Sequence, residues 1–227
     1  MKKFIHLALA LAATAACTVA SAGVITFEAY EPRVYNSGEQ FSDGPSNFTA
    51  LGGGGVIVQG NDPFSCTVIA CPVGNASKYF MGVNDGGLRF MFAGGSILLS
   101  SLDFSFVLPV DQLINVTLGQ LLVTGTEAGG MQTTIGRDFS AQNGDGDFTF
   151  SRWDIGGAFA QTRFESLAFS ACLYTTMGTC SSDPDVTQNQ AQFAIDNIAF
   201  VPEPASLALV GVSLFGMFAA ARRRKSV

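Results

Sequence analysis

Any chemistry in the body of this chain has to be done without histidine. The only one, His6, stands near the start, and none follows it. Ser-His-Asp and Cys-His nucleophile arrangements need an imidazole, as do His-bound transition metals, so all are excluded downstream. Cysteines and carboxylates remain. Four cysteines fall in two close pairs, Cys66/Cys71 and Cys172/Cys180. In an oxidising compartment such pairs become disulfides. Four cysteines allow three pairings, and closeness in sequence favours Cys66–Cys71 and Cys172–Cys180, each pinning a loop. Zinc is the rival, but neither pair has the two-residue gap of zinc ligands.

Among the carboxylates, Asp196 stands out. In Phe193-Ala194-Ile195-Asp196-Asn197-Ile198-Ala199-Phe200, alternation puts it on the face of Ala194, Ile198 and Phe200. An ionised carboxylate on an apolar face is costly unless an Arg, backbone N–H groups or a hard cation such as calcium compensates it. Asn143-Gly144-Asp145-Gly146-Asp147 spaces three oxygen-bearing side chains as calcium loops do, with Asp154 at the twelfth place. Phe148, however, stands where the sharp-turn glycine belongs, so a hairpin turn is the better reading. Paired carboxylates could hydrolyse glycosides, yet nothing in the spacing selects two of Glu28, Glu31, Glu39, Glu127 and Glu165. Trp153, Tyr30, Tyr35, Tyr79 and Tyr174 could stack on sugar rings; a lone Trp between Phe148/Phe150 and Ile155 is more often core. The Asn-x-Ser/Thr sites at Asn47, Asn75 and Asn115 are expected by chance.

The elements that would position these groups read as strands. Twenty Phe, 26 Gly and only 13% charged residues favour short strands and turns over helices. Period-2 alternation predicts strands over Val24–Tyr30, Val56–Gln59, Tyr79–Val83, Leu88–Phe92, Ile97–Leu108, Ile114–Thr124, Met131–Phe139, Asp147–Trp153, Phe164–Thr175 and Gln192–Val201. Asn84-Asp85-Gly86-Gly87, Gly94-Gly95, Gly129-Gly130 and Asn143–Gly146 supply turns, and Gly52 to Gly55 reads as a flexible loop. The expected fold class is all-β: a jelly-roll-like β-sandwich over residues 23–200. Between Gly23 and Val201 six basic residues face 17 acidic ones, a surface that repels nucleic acid and leaves carboxylates available to cations.

The two ends differ from this domain. Residues 1–22 read as a signal peptide for the export machinery: Lys2 and Lys3, an apolar stretch from Leu7 to Ala16, then small Ala20 and Ala22 placing the cut before Gly23. Cys17 raises a lipoprotein reading, but Thr14-Ala15-Ala16 lacks the usual Leu three places upstream. Residues 201–227 run Val201-Pro202-Glu203-Pro204, an uncharged stretch at 205–221, then a basic stop at 222–225 of Arg222-Arg223-Arg224-Lys225. Seventeen residues make a helix about 25 Å long at ~1.5 Å per residue, just under a ~30 Å hydrocarbon core. The basic cluster favours the cytoplasmic side of such a transmembrane helix, and Pro202 and Pro204 stop the preceding strand.

A Pro-Glu-Pro signature, a short hydrophobic helix and an Arg cluster in this order resemble the tail of PEP-CTERM proteins, which are exosortase substrates; the segment is also called the ice-binding protein C-terminal domain. The resemblance implies that an exosortase-type membrane protease recognises Pro202, Glu203 and Pro204, with Arg222, Arg223 and Arg224 completing the signal. It implies an inner-membrane-anchored precursor in a Gram-negative, biofilm-forming bacterium, later released or transferred to the cell surface. The final Phe-x-x-Asp-Asn-Ile strand also resembles PEP-CTERM sandwich domains and carbohydrate-binding jelly rolls. In the latter a structural calcium joins first and last strands, which would make Glu28 and Asp196 its ligands here. The expected function is a non-enzymatic cell-surface or extracellular-matrix structural protein. The alternatives are an exopolysaccharide-binding module and, behind it, a carboxylate-dependent glycosidase.

Overall fold

A computed structural model describes residues 22–60, 62, 66, 70–108 and 118–202. The chain forms Gly23–Ile25 (β1), Arg33–Tyr35 (β2), Gln40–Asp43 (β3), Ser46–Leu51 (β4), Gly55–Gln59 (β5), Lys78–Gly82 (β6) and Gly87–Phe92 (β7). Ile97–Phe106 (β8), Gly119–Thr126 (β9), Gln132–Asp138 (β10) and Ser151–Asp154 (β11) follow, then a short helix Gly157–Gln161 (α1) and Ser166–Tyr174 (β12). Cys180–Ser181 (β13), the helical turn Pro184–Thr187 (α2) and Phe193–Pro202 (β14) complete it.

Two antiparallel sheets make a sandwich. One runs β11-β8-β14-β6-β5-β2, with β1 beside the second half of β14; the other runs β10-β9-β12-β7-β4-β3, with β13 on β12. The alternation that the sequence shows is what fills the space between them. Inward residues of β4, β7 and β12 (Phe48, Phe90, Phe169) meet Phe80, Phe104 and Ile195 of the facing sheet in one core. Its rings run on as Phe41–Phe48, Phe48–Phe90 and Phe90–Phe200, with centroids 4.9, 5.3 and 5.3 Å apart. Offset and edge contacts of this kind add to the area burial of each ring.

Several boundaries move from the sequence expectation. The first strand ends at Ile25, because Phe27 adopts a left-handed φ of +54° and Tyr30 N–H closes a turn onto Phe27 C=O. β2, β3 and β4 were not expected: Ser46-Asn47-Phe48-Thr49-Ala50-Leu51 alternates, but its inward set includes small Ser46 and Ala50, which carry little hydrophobic signal. Gly52 to Gly55 is no flexible loop. Gly54 has φ +91°, and added Cβ atoms at Gly53 and Gly86 would overlap the carbonyl oxygens of Asn84 and Gly54. Two turns cross there in backbone contact, the second with Asn84 and Asp85 both at positive φ, as a primed hairpin turn requires. Asn143–Gly146 is a turn, its Asn143 Oδ1 accepting N–H bonds from Asp145 and Asp147 at 2.9 Å each. The signal peptide, the first part of the strand expected at Ile114–Thr124, and the tail beyond Pro202 lie outside the described residues. Among the described residues no helix is long and apolar enough to cross a membrane.

Candidate functional site

Among the described residues Asp196 is the one fully buried carboxylate, with 0% exposure. It does not share a face with Ile198 and Phe200. β14 shifts register on β8 between Asp196 and Ala199, and Asn197 sits at φ +48° in that bulge. One extra residue reverses the alternation. Ile195, Ile198 and Phe200 therefore all enter the main core, while Ala194 lies in a second cluster with Val58, Tyr79, Met81, Val83 and Val107. Cys71 and Phe150 pack on that cluster, so this outer sheet face is roofed.

Asp196 lies under the roof. Its Oδ2 accepts hydrogen bonds from Asn75 Nδ2 at 2.8 Å and Ser77 Oγ at 2.7 Å. Ser77 N–H in turn donates to Asn75 Oδ1 at 2.8 Å, holding the amide in place. Oδ1 has no partner at hydrogen-bonding geometry. Burial pushes the carboxyl above its usual range; the bonds from Asn75, Ser77 and the Asn197 backbone oppose the rise, and the charge of Asp103 adds to it. Asp103 faces Asp196 across the β8–β14 ladder, and its Oδ2 accepts from Asn197 Nδ2 at 2.7 Å. The arrangement can keep a proton on a half-satisfied acid or give a buried oxygen to a cation.

Glu28, exposed, is bonded to the next residue along: its Oε1 accepts the Lys78 N–H at 2.8 Å. Lys78 Nζ reaches Glu28 C=O at 3.2 Å and Tyr30 C=O at 2.7 Å, which staples the turn at 27–30. The two expected calcium ligands thus sit on neighbouring residues, Ser77 and Lys78. Among the described residues no three His, Cys, Asp or Glu side chains come together to hold a metal ion. Asp196 Oδ1 is unpartnered, Glu28 already spends one oxygen on the backbone, and further oxygens would have to complete a calcium shell. A cavity of about 280 Å³ opens beside this region, lined by Gly60, Asp62, Pro72, Asn75 and both Cys66 and Cys71.

The sulfurs of Cys66 and Cys71 are joined at 2.00 Å, and those of Cys172 and Cys180 at 1.94 Å. The first bridge closes a loop beside the roof over Asp196; the second ties β13 to β12. The aromatic residues that might have met sugar rings are mostly core. Trp153 packs on Phe104 at 5.9 Å, Tyr79 on Phe150 at 5.0 Å and Tyr35 on Phe41 at 4.3 Å. Tyr174 donates its hydroxyl to Asp138 at 2.7 Å. Asn75, which as a sequence motif carried nothing, is the residue that holds Asp196; no spacing rule links positions 75 and 196.

The outer face of the second sheet is polar. One register row crosses β3, β4, β7, β12, β9 and β10 as Gln40, Thr49, Arg89, Ala168, Thr124 and Thr134. At the β3 end, Gln40, Ser42, Asn47, Thr49 and Met91 line a groove of about 300 Å³.

No curated protein matches the chain in sequence. Among solved structures, a mutant of the family 29 carbohydrate-binding module CBM29-2 is similar at 13% identity, covering 81% of this chain and 92% of that one, with a TM-score of 0.34. The CBM22-1–GH10 modules of Clostridium thermocellum xylanase 10B are similar at 12% identity over 80% of this chain and 28% of theirs, TM-score 0.36. The tailspike protein 4 active domain of bacteriophage CBA120 reaches 13% identity over 78% and 20%, TM-score 0.28. Likeness at these levels carries no assignment of a ligand. The end of β14 is different: Val201 and Pro202 pair with Leu98 and Ile97, and from this point the sequence matches a defined family model. Residues 200–225 match the PEP-CTERM protein-sorting motif.

Proposed function

We propose that the chain is an exported structural protein of the cell surface or extracellular matrix, delivered there by an exosortase-type membrane protease. The observation that carries this reading is the sorting motif at residues 200–225, which begins on the last strand of the sandwich without an intervening linker. The signal peptide at 1–22 would bring the chain to the export machinery, and the 205–221 stretch would hold the precursor in the membrane. Glu203 and the two flanking prolines would act as a recognition signal and take no part in catalysis. Mass spectrometry of the protein from cells with and without the sorting protease tests this directly. A tail removed near Pro202-Glu203-Pro204 only when the protease is present is the expected result, and Glu203→Ala should leave the tail attached. Identical masses from both strains would sink the reading.

A second reading, an exopolysaccharide-binding module, is favoured by the row of amide, hydroxyl and guanidinium groups across the open sheet and the groove at its β3 end. Such groups suit a polyhydroxylated chain; the face lacks a large aromatic platform. Pull-down on purified exopolysaccharide should lose at least half its yield with Asn47→Ala plus Thr49→Ala if the groove binds. Retention by this double variant would assign the binding elsewhere, and sugar release would point to a glycosidase. A structural calcium held by Asp196 and Glu28 is compatible with either reading and would tie the first turn to the last strand.

A further inference from the structure

Most edges of the two sheets are short: β11 and β3 have four residues each, β2 three, and β13 two. β10 is the exception among the described strands. It has seven residues, Gln132–Asp138, all exposed apart from half-buried Ile135. Proteins protect long edges with charged side chains, Pro, bulges or covering segments. β10 contains neither Lys nor Pro, its two charges, Arg137 and Asp138, stand together at one end, and its ladder with β9 runs without a register shift.

Two hydrogen bonds fix which backbone groups of β10 are unused. Glu127 N–H donates to Met131 C=O at 2.8 Å, and Phe139 N–H to Gly119 C=O at 3.1 Å. In an antiparallel ladder every second pair exchanges bonds, so residues 133, 135 and 137 turn their backbone groups to β9. Those of Gln132, Thr134, Gly136 and Asp138 point outward from the sheet.

We infer that β10 is a self-pairing edge through which two copies of the chain join their second sheets antiparallel about a two-fold axis at Ile135. In the full-overlap register Gln132 meets Asp138, Thr134 meets Gly136, and Thr133 meets Arg137 of the other copy. The outward-facing backbone groups then fall opposite one another as hydrogen-bonded pairs. No charge meets its like, whereas sliding the register to centre on Arg137 or Asp138 sets like charges face to face. The two Ile135 side chains, each half-buried against the rim of its own core, come together on the inner face. Such isologous pairing needs one patch complementary to itself, and β10 has that property in its sequence: amide against carboxylate, hydroxyl against glycine, isoleucine against isoleucine. The joined sheet would carry fourteen strands, seven from each copy, a form suited to a surface layer, although the pairing does not depend on how the chain is sorted.

The test uses the full chain in a non-ionic detergent. Light scattering across a concentration series should give a protein mass twice that of one chain. Thr134→Pro removes an outward N–H and leaves the β9 ladder whole, so it should return the mass to that of one chain with melting unchanged. Ile135→Cys places two sulfurs across a non-hydrogen-bonded pair, where cross-strand Cβ atoms approach closely. It should form a covalent dimer on mild oxidation, and Met131→Cys, at the exposed hairpin tip, should not. A wild-type chain that stays single, a dimer that survives Thr134→Pro, or equal crosslinking by the two cysteine variants overturns the inference.

Discussion

Asp196 couples the stability of the sandwich to pH in a direction opposite to most acids. Its carboxyl titrates above the usual range because it is buried, so the native state keeps a proton that the unfolded chain has lost. The stability this supplies is complete below the ordinary aspartate value of about 3.9 and drains away as pH rises through the raised value. In chelator, melting temperature should therefore fall across that window for the wild type, and Asp196→Asn should flatten the slope. Calcium, if bound, needs the ionised form and must raise native stability. Millimolar calcium should then lift the wild-type melting temperature at neutral pH and leave Asp196→Asn unmoved. An unchanged wild type in calcium would remove the metal from the account while leaving the pH slope intact.

The same residue shows what could be read from the sequence and what could not. That Asp196 needed a partner followed from its apolar neighbours, since a buried carboxylate must be compensated. Which partner did not follow. Asn75 and Ser77 come from a segment more than a hundred positions away, brought over the sheet by chain topology. Nor was the face predictable: period-2 reasoning fails at a bulge, which shows only in the structure, as the register shift of β14 on β8 and the left-handed Asn197.

At the scale of elements, ten strands were expected from alternation, and each that falls within the described residues is represented by a strand at its place, with shifted ends. What escaped was built from small or polar inward residues, as in β4, or from glycines acting by closeness rather than by looseness. The crossing of the 52–55 and 83–86 turns is the clearest case. A methyl at Gly53 has no space beside the Asn84 carbonyl, and Gly53→Ala should cost roughly 1–3 kcal/mol, as overpacking does. Gly144 has open space around its Cα, so Gly144→Ala should stay within about 0.5 kcal/mol of wild type. Urea midpoints of the two variants decide the matter. Equal midpoints would mean that the crossing is loose after all.

For the whole molecule, the sorting motif marks an exported protein processed at a membrane, and its order of parts was plain in the sequence. The sandwich that precedes it was legible as a class, because Phe alternation and Gly-rich turns admit little else. Its ligand was not, since the open sheet face has no residue type that names one. The join between the two regions has a mechanical consequence. β14 is an interior strand, held by β8 on one side and by β6 and β1 on the other, and it leads straight into the tail. Its ladder bonds lie perpendicular to the strand. A pull on the tail from an attached surface therefore loads many of them at once, in shear, and cannot peel them singly. Tethered by this end, the sandwich should resist drag as one block, and yield only when β14 slides as a whole.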